Sequence, residues 1–554
     1  MMKINIKNDS FWFLLLLTLA LFLWIFNLDN LPLRDWDEGY YANVAQDMFK
    51  SGNWLYLTYS NQPFLLKPPL IIWLINISYS FGGISEFTTR FPCALLTAFG
   101  VPLLYLTGKD LFSKQQPAIL SSLVYLTLLP VVRHGRLAMI DGMINTFFIF
   151  SIFSIVRSKK QPFWAVGFGI GMGLIALSKG ILALALGGVL GVYILWDRER
   201  ENIIYFLLKI TKILGLKSVL NNLLKTKFTT SEKSTTSLLK NFMFWIGLFL
   251  GFLPVVIWYS LQIKYYGEQF IEVHFLQQNF NRLSTAVEGN SGSPWYYILE
   301  LIKYSFPWLV FLPCGLFLAW KKRQQSWGKL VLTGFFLFLT IITIMGTKLP
   351  WYIMPIYPFF ALAIGYYLSY LCKFKKSYPK AFVFSFFILS ILTIAGIVYL
   401  WKETQDIILV VMSCLLFVTF ILTSKKLKQN TPNFVSVLVI GLYVSLLLFV
   451  TSNSWIWELN EAFEVKPVAS LIKQNTPTQT IIYTSFDYSR PSFDFYSDRQ
   501  ILAVDKETLE NLASEKSYLL LDQETFDNLK FTNVKILGEI NEFILISTNN
   551  PQPE

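Results

Sequence analysis

Apolar runs of roughly 20 residues, the length that crosses a bilayer's hydrocarbon core, recur from Phe11 to Thr451 and are parted by polar joints. The pattern predicts about thirteen spans: 11–28, 88–107, 117–132, 142–156, 162–178, 181–196, 242–262, 298–320, 330–346, 353–371, 381–400, 407–423 and 433–451. Two intervals, 29–88 and 263–297, are too long and polar to be simple turns. A third, 197–241, is basic and partly amphipathic, with a Ser/Thr/Lys stretch near 226–237. Beyond residue 452 the pattern changes. EAFEVKPVASLIKQN has helical spacing, and TIIYTS, ILAVD, SYLLLD and KILGEINEFILIS read as strands. TLENLASE and ETFDNLK read as short helices. The expected architecture is an α-helical polytopic membrane protein over 1–452, followed by a small α/β domain over 453–554.

Charge orients this pattern. The chain carries +12 overall, yet residues 458–554 hold 16 acidic and 8 basic side chains, so the remainder is +20. The excess cations fall in alternate short joints, which the positive-inside rule assigns to the cytoplasm. The N-terminus, with Lys3 and Lys7, is then expected inside, and the intervals 29–88 and 263–297 and the C-terminal domain outside, across a cytoplasmic (inner) membrane. A charge distributed this way orients spans and leaves no patch for nucleic acid. The first apolar run lacks a small-residue cleavage site and is read as an uncleaved anchor. Cys93, Cys314, Cys372 and Cys414 all lie in or beside apolar runs, without metal-ligand or disulfide spacing.

Counting spans puts every unusual polar motif on one face, the outer one. Asp37 and Glu38 follow the first span, Lys67 stands before Pro68-Pro69, and Arg136 and Asp141 join the third and fourth spans. Lys179 lies between the fifth and sixth, His274 and Arg282 in the second long interval, and Lys348 and Tyr352 before the tenth. Ionisable groups at membrane depth are costly and tend to be functional. A carboxylate in a water-poor pocket suits general-base work on a hydroxyl or amine. Cations near a bilayer surface suit a lipid-linked phosphate and the charge that develops when it leaves. Competing roles exist for each group: helix capping for Asp37 and Asp141, and interfacial snorkelling for the cations. Tyr41, Tyr352, Trp295 and Tyr296 are candidate sugar-stacking surfaces, although interfacial belts are aromatic in any case. His274 and His134 are the chain's two histidines, too few for a zinc site.

Taken in order, Asp37-Glu38-Gly39-Tyr40-Tyr41-Ala42, Gly52-Asn53-Trp54, Lys67-Pro68-Pro69-Leu70 with Trp73, and Glu86-Phe87 with Arg90 and Pro92 resemble the ArnT-like aminoarabinose transferases. Those enzymes stand with the protein O-mannosyltransferases in the GT-C glycosyltransferase superfamily. Arg136 with Asp141, Leu177-Ser178-Lys179-Gly180, Asn279 with Arg282, Pro294-Trp295-Tyr296-Tyr297 and Lys348-Leu349-Pro350-Trp351-Tyr352 extend the resemblance over about residues 1–360. It implies a GT-C fold and inverting transfer of a sugar, 4-amino-4-deoxy-L-arabinose or a hexose, from a polyprenyl-phosphate donor. The acceptor would be a lipid, as in lipid A modification of the cell envelope, or a glycan or protein. It also implies Asp37 as the key acidic residue, with Asp141 organising the site, and Lys67, Lys348 and Tyr352 at the donor phosphate. On their own chemistry and placement, Glu38 joins the candidate catalytic carboxylates, Arg136 and Lys179 the candidate phosphate cations, and Tyr41, His274, Arg282 and Trp295 are candidates for the sugar or acceptor. A divalent metal belongs to the family picture through a glutamate just before the Lys-Pro-Pro lysine; here that position is Leu66. The other reading, a transporter or flippase of lipid-linked sugars, calls for inverted repeats and broken midplane helices, and the sequence shows neither.

Overall fold

The computed structural model describes residues 8–60, 62–198, 237–374, 377–403, 406–456, 464–478, 480–485, 490–512, 516–529 and 534–548. Lys3, Lys7 and nearly all of the basic interval 197–241 lie outside them. The chain divides into two compact units.

The first unit comprises Met1–Asn27, Leu65–Leu70 and Cys93–Trp455 and is helical. Among the described residues of the whole chain, nine helices are long and apolar enough to cross a membrane, or eleven if each of two bent pairs is one span. This is fewer than the thirteen expected. Asp9–Ile25 is a shorter apolar helix of 17 residues, and Pro162–Asp197 counts once although it doubles back. Its backbone leaves the helical region at Lys179 (φ −154°, ψ 73°). Three observations show the reversal. A Cβ on Gly187 would lie 3.4 Å from Met172 Cε. Lys159, before the first arm, ion-pairs with Asp197, at the end of the second. Arg198 donates to Ser158 Oγ at 2.9 Å. The break follows Ser178, whose hydroxyl donates to the Leu174 carbonyl (2.8 Å) and competes with the helical ladder. On the other side of the first arm, Gly169 and Gly173 approach Gly247 and Gly251 of helix Phe242–Tyr266 so closely that any Cβ would overlap backbone.

The cations that the charge pattern assigns to one face converge on shared carboxylates. Asp110 accepts from Arg157 (3.1 Å) and Lys160 (2.8 Å), and Asp197 from Lys159 and Lys329 (3.1 Å).

The second unit comprises Leu28–Phe64, Ile71–Pro92 and Ile456–Glu554. It is larger than the tail 453–554, because the first long interval folds as part of it. Helix Asp37–Ser51 and a small hairpin, β1 (Thr58–Tyr59) with β2 (Gln62–Pro63), belong to the interval. The tail forms a five-stranded sheet: β3 (Ile481–Thr484), β4 (Gln500–Ala503), β5 (Tyr518–Asp522), β6 (Val534–Ile540) and β7 (Phe543–Thr548), in the order β4-β3-β5-β7-β6. β4 and β5 run parallel to β3, whereas β7 runs antiparallel to β5 and β6. Every strand read from the sequence is present. Helices Val465–Asn475, Lys506–Leu512 and Gln523–Leu529 also match. Helix Pro491–Ser497 was not legible: its seven residues span under two turns and carry no apolar period.

That short helix holds the first interval. Asp35 accepts from Arg490 Nε (2.9 Å) and Ser492 N (3.2 Å). Gly39 lies so close that a Cβ would stand 2.8 Å from the Arg34 carbonyl and 3.0 Å from Ser492 N. Nearby, Tyr59 donates to Asp494, Asp47 accepts from Ser60 N (3.0 Å), and Asp498 pairs with Lys50 and Gln46. Burial pushes the Asp494 carboxyl up to about 7 and that of Asp47 up to about 6. Both shifts are upward, so the stability they contribute is complete below the ordinary carboxyl value and is lost as pH rises through about 6 and then about 7. Hydrogen exchange corrected for intrinsic rate should therefore show residues 43–60 and 490–501 opening at least ~10-fold more readily at pH 8 than at pH 5. Asp494→Asn should shrink the difference to the share that Asp47 contributes.

Candidate active site

A cavity in the first unit is lined by residues from six stretches of the sequence. Lys67 and Pro68 come from the Lys-Pro-Pro segment. Asp141 comes from the first turn of helix Ile140–Arg157, and Lys179 and Gly180 from the helix break. His274, Asn279, Arg282 and Tyr352 complete the polar part. Leu66, Ile181, Leu182, Ala185, Phe338, Ile341, Ile342 and Met345 make an apolar wall beside them.

The polar groups are interlocked. Lys179 Nζ lies 3.2 Å from Asp141 Oδ1 and 4.6 Å above the centre of the Tyr352 ring. Only the non-helical backbone at residue 179 frees this side chain from the helix surface to reach both. Arg282 Nη1 makes a long contact (3.5 Å) with the Tyr352 hydroxyl, and its Nη2 pairs with Glu288 at 3.0 Å. Asp141 is 3% exposed. Met139, not Asp141, occupies the N-cap of its helix, which leaves the carboxylate for Lys179. The lining carries three cations, Lys67, Lys179 and Arg282, against one carboxylate.

His274 belongs to the cavity wall but is committed elsewhere. It is 1% exposed and stacks on Phe270 with centroids 4.9 Å apart. A carbonyl only accepts, so Nδ1 donates to Leu65 O (2.9 Å), and Nε2 then accepts from the Tyr259 hydroxyl (2.9 Å). Burial pushes its pKa down to about 4, which keeps the ring neutral and the tautomer fixed. His274 thereby pins the strand of chain that presents Lys67, instead of offering itself to a sugar. His274→Phe retains the stack and loses both hydrogen bonds. The amides of residues 65–67 should then exchange about ten-fold faster by mass spectrometry, since a buried carbonyl left unsatisfied costs ~1–3 kcal/mol.

Six of the twelve side chains singled out in the sequence therefore meet in one place: Lys67, Asp141, Lys179, His274, Arg282 and Tyr352. Three others of the first unit do not. Arg136 donates to the carbonyls of Leu23 (2.8 Å), Trp24 (3.2 Å), Phe26 (2.9 Å) and Asn27 (2.8 Å), and lies 4.7 Å over the Trp455 ring. It satisfies the orphan carbonyls at the end of helix Asp9–Ile25, a structural role. Lys348 Nζ does the same for helix Phe338–Ile344, donating to Ile342 O (3.2 Å), Thr343 O (2.6 Å) and Met345 O. Both were expected on the donor phosphate, and both are spent on helix ends. Trp295 is 66% exposed, away from the cavity lining.

The remaining three lie on helix Asp37–Ser51 in the second unit. Glu38, expected as a catalytic carboxylate, is wholly buried and clamped: Arg90 Nε and Nη2 each donate at 2.9 Å, and Arg34 N at 2.8 Å. Its acceptor capacity is consumed. Tyr41 is 1% exposed and offers no face for stacking. Asp37 differs from its acidic neighbours. It is partly exposed at the first helical position, and among the described residues its carboxylate has no hydrogen-bond or ion-pair partner. Asp35 and Glu38 fix the backbone on either side of it. Sequence reasoning missed Gln278 and the apolar wall 338–345, because apolar positions in a spanning helix look alike whether they face lipid or a cavity.

Comparison with known proteins bears on the fold. Residues 12–225 match the Dolichyl-phosphate-mannose-protein mannosyltransferase family. A protein of Aquifex aeolicus (strain VF5) is 26% identical over 501 residues, 89% of this chain and 88% of its own length. The undecaprenyl phosphate-alpha-4-amino-4-deoxy-L-arabinose arabinosyl transferase of Pectobacterium carotovorum is 25% identical over 64% of this chain. The chain spans 58% of that relative's length. Among solved structures, ArnT of Cupriavidus metallidurans bound to undecaprenyl phosphate superposes with a TM-score of 0.75, covering 98% of this chain and all of that one at 17% identity. The oligosaccharyltransferase AglB of Archaeoglobus fulgidus gives 0.52 at 11% identity, over 94% of this chain and 70% of its own. The fold is thus the one seen in ArnT and AglB, in a chain whose described helices suit a multi-pass membrane protein.

Proposed function

We propose that this chain moves a sugar from a polyprenyl-phosphate donor to a hydroxyl or amine of a lipid, glycan or protein at the outer face of the cytoplasmic membrane. The observation that carries the reading is the cavity's division into a cationic end and an apolar wall. A phosphodiester donor carries one negative charge, and the phosphate monoester that leaves carries two. The lining's three cations outnumber its one carboxylate, and the site stays cationic even with Glu288 paired to Arg282, which favours the leaving state over the bound one. The wall from Ile181 to Ala185 and from Phe338 to Met345 accommodates the first prenyl units. The ArnT structure that shares this fold holds undecaprenyl phosphate.

In this scheme Lys67, Arg282 and Tyr352 hold the phosphate, and Asp141 sets the position of Lys179 beside it. Asp37, in the second unit, is assigned from its Asp37-Glu38-Gly39 motif, independently of the cavity's geometry, to take the acceptor's proton as that group attacks the anomeric carbon. The bond from that carbon to the phosphate oxygen breaks in the same displacement, with inversion. A divalent metal fits this lining poorly. Asp141 is the cavity's one carboxylate and is already paired with Lys179, and position 66 is a leucine. Among the described residues no three His, Cys, Asp or Glu side chains gather to hold an ion. No step is routed through one.

The test is transfer by purified protein in lipid, followed as release of free undecaprenyl phosphate and as a mass increment on extracted lipids, glycans and proteins. Lys179→Met and Arg282→Met should each lower the rate by about 100-fold, the usual loss when one preorganised donor to a developing oxyanion is removed. Rates within twofold of wild type for both would overturn the phosphate assignment.

A further inference from the structure

The C-terminal part of the second unit contains a second concavity that the transfer scheme leaves unused. Its place follows from topology. The chain leaves β3, passes through helix Pro491–Ser497 and returns as β4 on one side of β3. It then passes through helix Lys506–Leu512 and returns as β5 on the other side. The strand order therefore reverses at β3. In open α/β sheets such a reversal opens a crevice beyond the carboxyl ends of the strands, and ligands bind in it. The lining comes from those ends: Ser485 after β3, Ala503 to Lys506 at the end of β4, and Thr525 and Asn528 from the helix that follows β5.

The crevice is built as well as placed. Asp522, the last residue of β5, accepts from Thr525 N (2.7 Å) and Thr525 Oγ1 (2.9 Å), and from Ser485 Oγ (3.0 Å). One carboxylate thus ties together the segments after β3 and β5. It also uses the hydroxyl protons of Ser485 and Thr525, so both oxygens are left as acceptors. Asp505 holds the next helix by accepting from Thr508 N at 2.8 Å. Beneath lie Leu509 and Leu529, part of or packed against the apolar cluster under β5 and β7.

We propose that this crevice binds an uncharged, hydroxyl-rich saccharide. Two oriented acceptors, an amide, one carboxylate and one ammonium over an apolar floor match a ring with hydroxyls at its edge and C–H bonds on its face. The lining charges, Asp505 and Lys506, cancel, and Asp522 adds a negative charge at the rim. A nucleotide or sugar phosphate is therefore disfavoured. The tail's lack of any catalytic constellation fits a site that recognises without reacting.

Full-length protein in nanodiscs would be photolabelled with a diazirine-bearing methyl mannoside, and the labelled peptides mapped by mass spectrometry. Label is expected on residues 503–509 and 523–529, competed by unlabelled methyl mannoside. It should fall at least five-fold in Ala503→Trp, which fills the crevice from an exposed strand end, and in Asn528→Leu, and persist in Lys179→Met. No saturable label on these peptides, label unchanged in both crevice variants, or stronger competition by mannose 1-phosphate than by the glycoside would each overturn the proposal.

Discussion

Asp37→Asn should lower sugar transfer by about a thousandfold, within the usual range for loss of a positioned general base, without unfolding the protein. Three acidic side chains crowd the start of helix Asp37–Ser51, and the structure separates their duties. Asp35 is bonded to Arg490 and Ser492, and Glu38 to Arg90 and Arg34. Asp37 is held in register by both while its own carboxylate stays uncommitted. Asparagine keeps the size and the helix-start preference but cannot take a proton. The measurement is initial rate against acceptor concentration, with thermal unfolding run in parallel. A full rate in Asp37→Asn would remove this residue from the chemistry.

One position on, the expected effect is of a different kind. Glu38→Ala should destabilise the second unit by about 3–5 kcal/mol, the cost of stranding a buried charge. Arg90 is wholly buried, and its guanidinium would lose both Glu38 bonds while still donating to the carbonyls of Leu28, Leu31 and Pro32. Limited proteolysis should then cut residues 28–64 rapidly. Glu38→Ala with Arg90→Met should recover part of the loss, because the second change removes the stranded charge. Wild-type stability in Glu38→Ala, with transfer lost, would return Glu38 to the catalytic role that the sequence suggested for it.

These adjacent carboxylates illustrate what could be read from the sequence. Its periodicities were legible: four apolar stretches of the tail read as strands, the last of which folds as the pair β6 and β7, and apolar runs gave the helices. The hairpin at Lys179 was also legible, as two runs parted by Ser-Lys-Gly. Charge type was legible too, so every cation of the cavity was on the expected roster. Commitment was not. Whether a lysine faces a phosphate or caps a helix depends on carbonyls brought from elsewhere in the fold, as at Arg136 and Lys348. Nor could the sequence reveal that the interval after the first span folds with a tail more than 400 residues later, since Asp35 and Arg490 (|i−j| = 455) share no local pattern.

The central claim is that the cationic, apolar-walled cavity holds a prenylated phosphate. Native mass spectrometry of the detergent-solubilised chain, titrated with undecaprenyl phosphate or with undecaprenol, addresses it directly. One phosphorylated lipid should be retained per chain and the alcohol should not, and combined Lys67→Met, Lys179→Met and Arg282→Met changes should abolish the difference. Equal retention of the two lipids by the wild-type protein would contradict it.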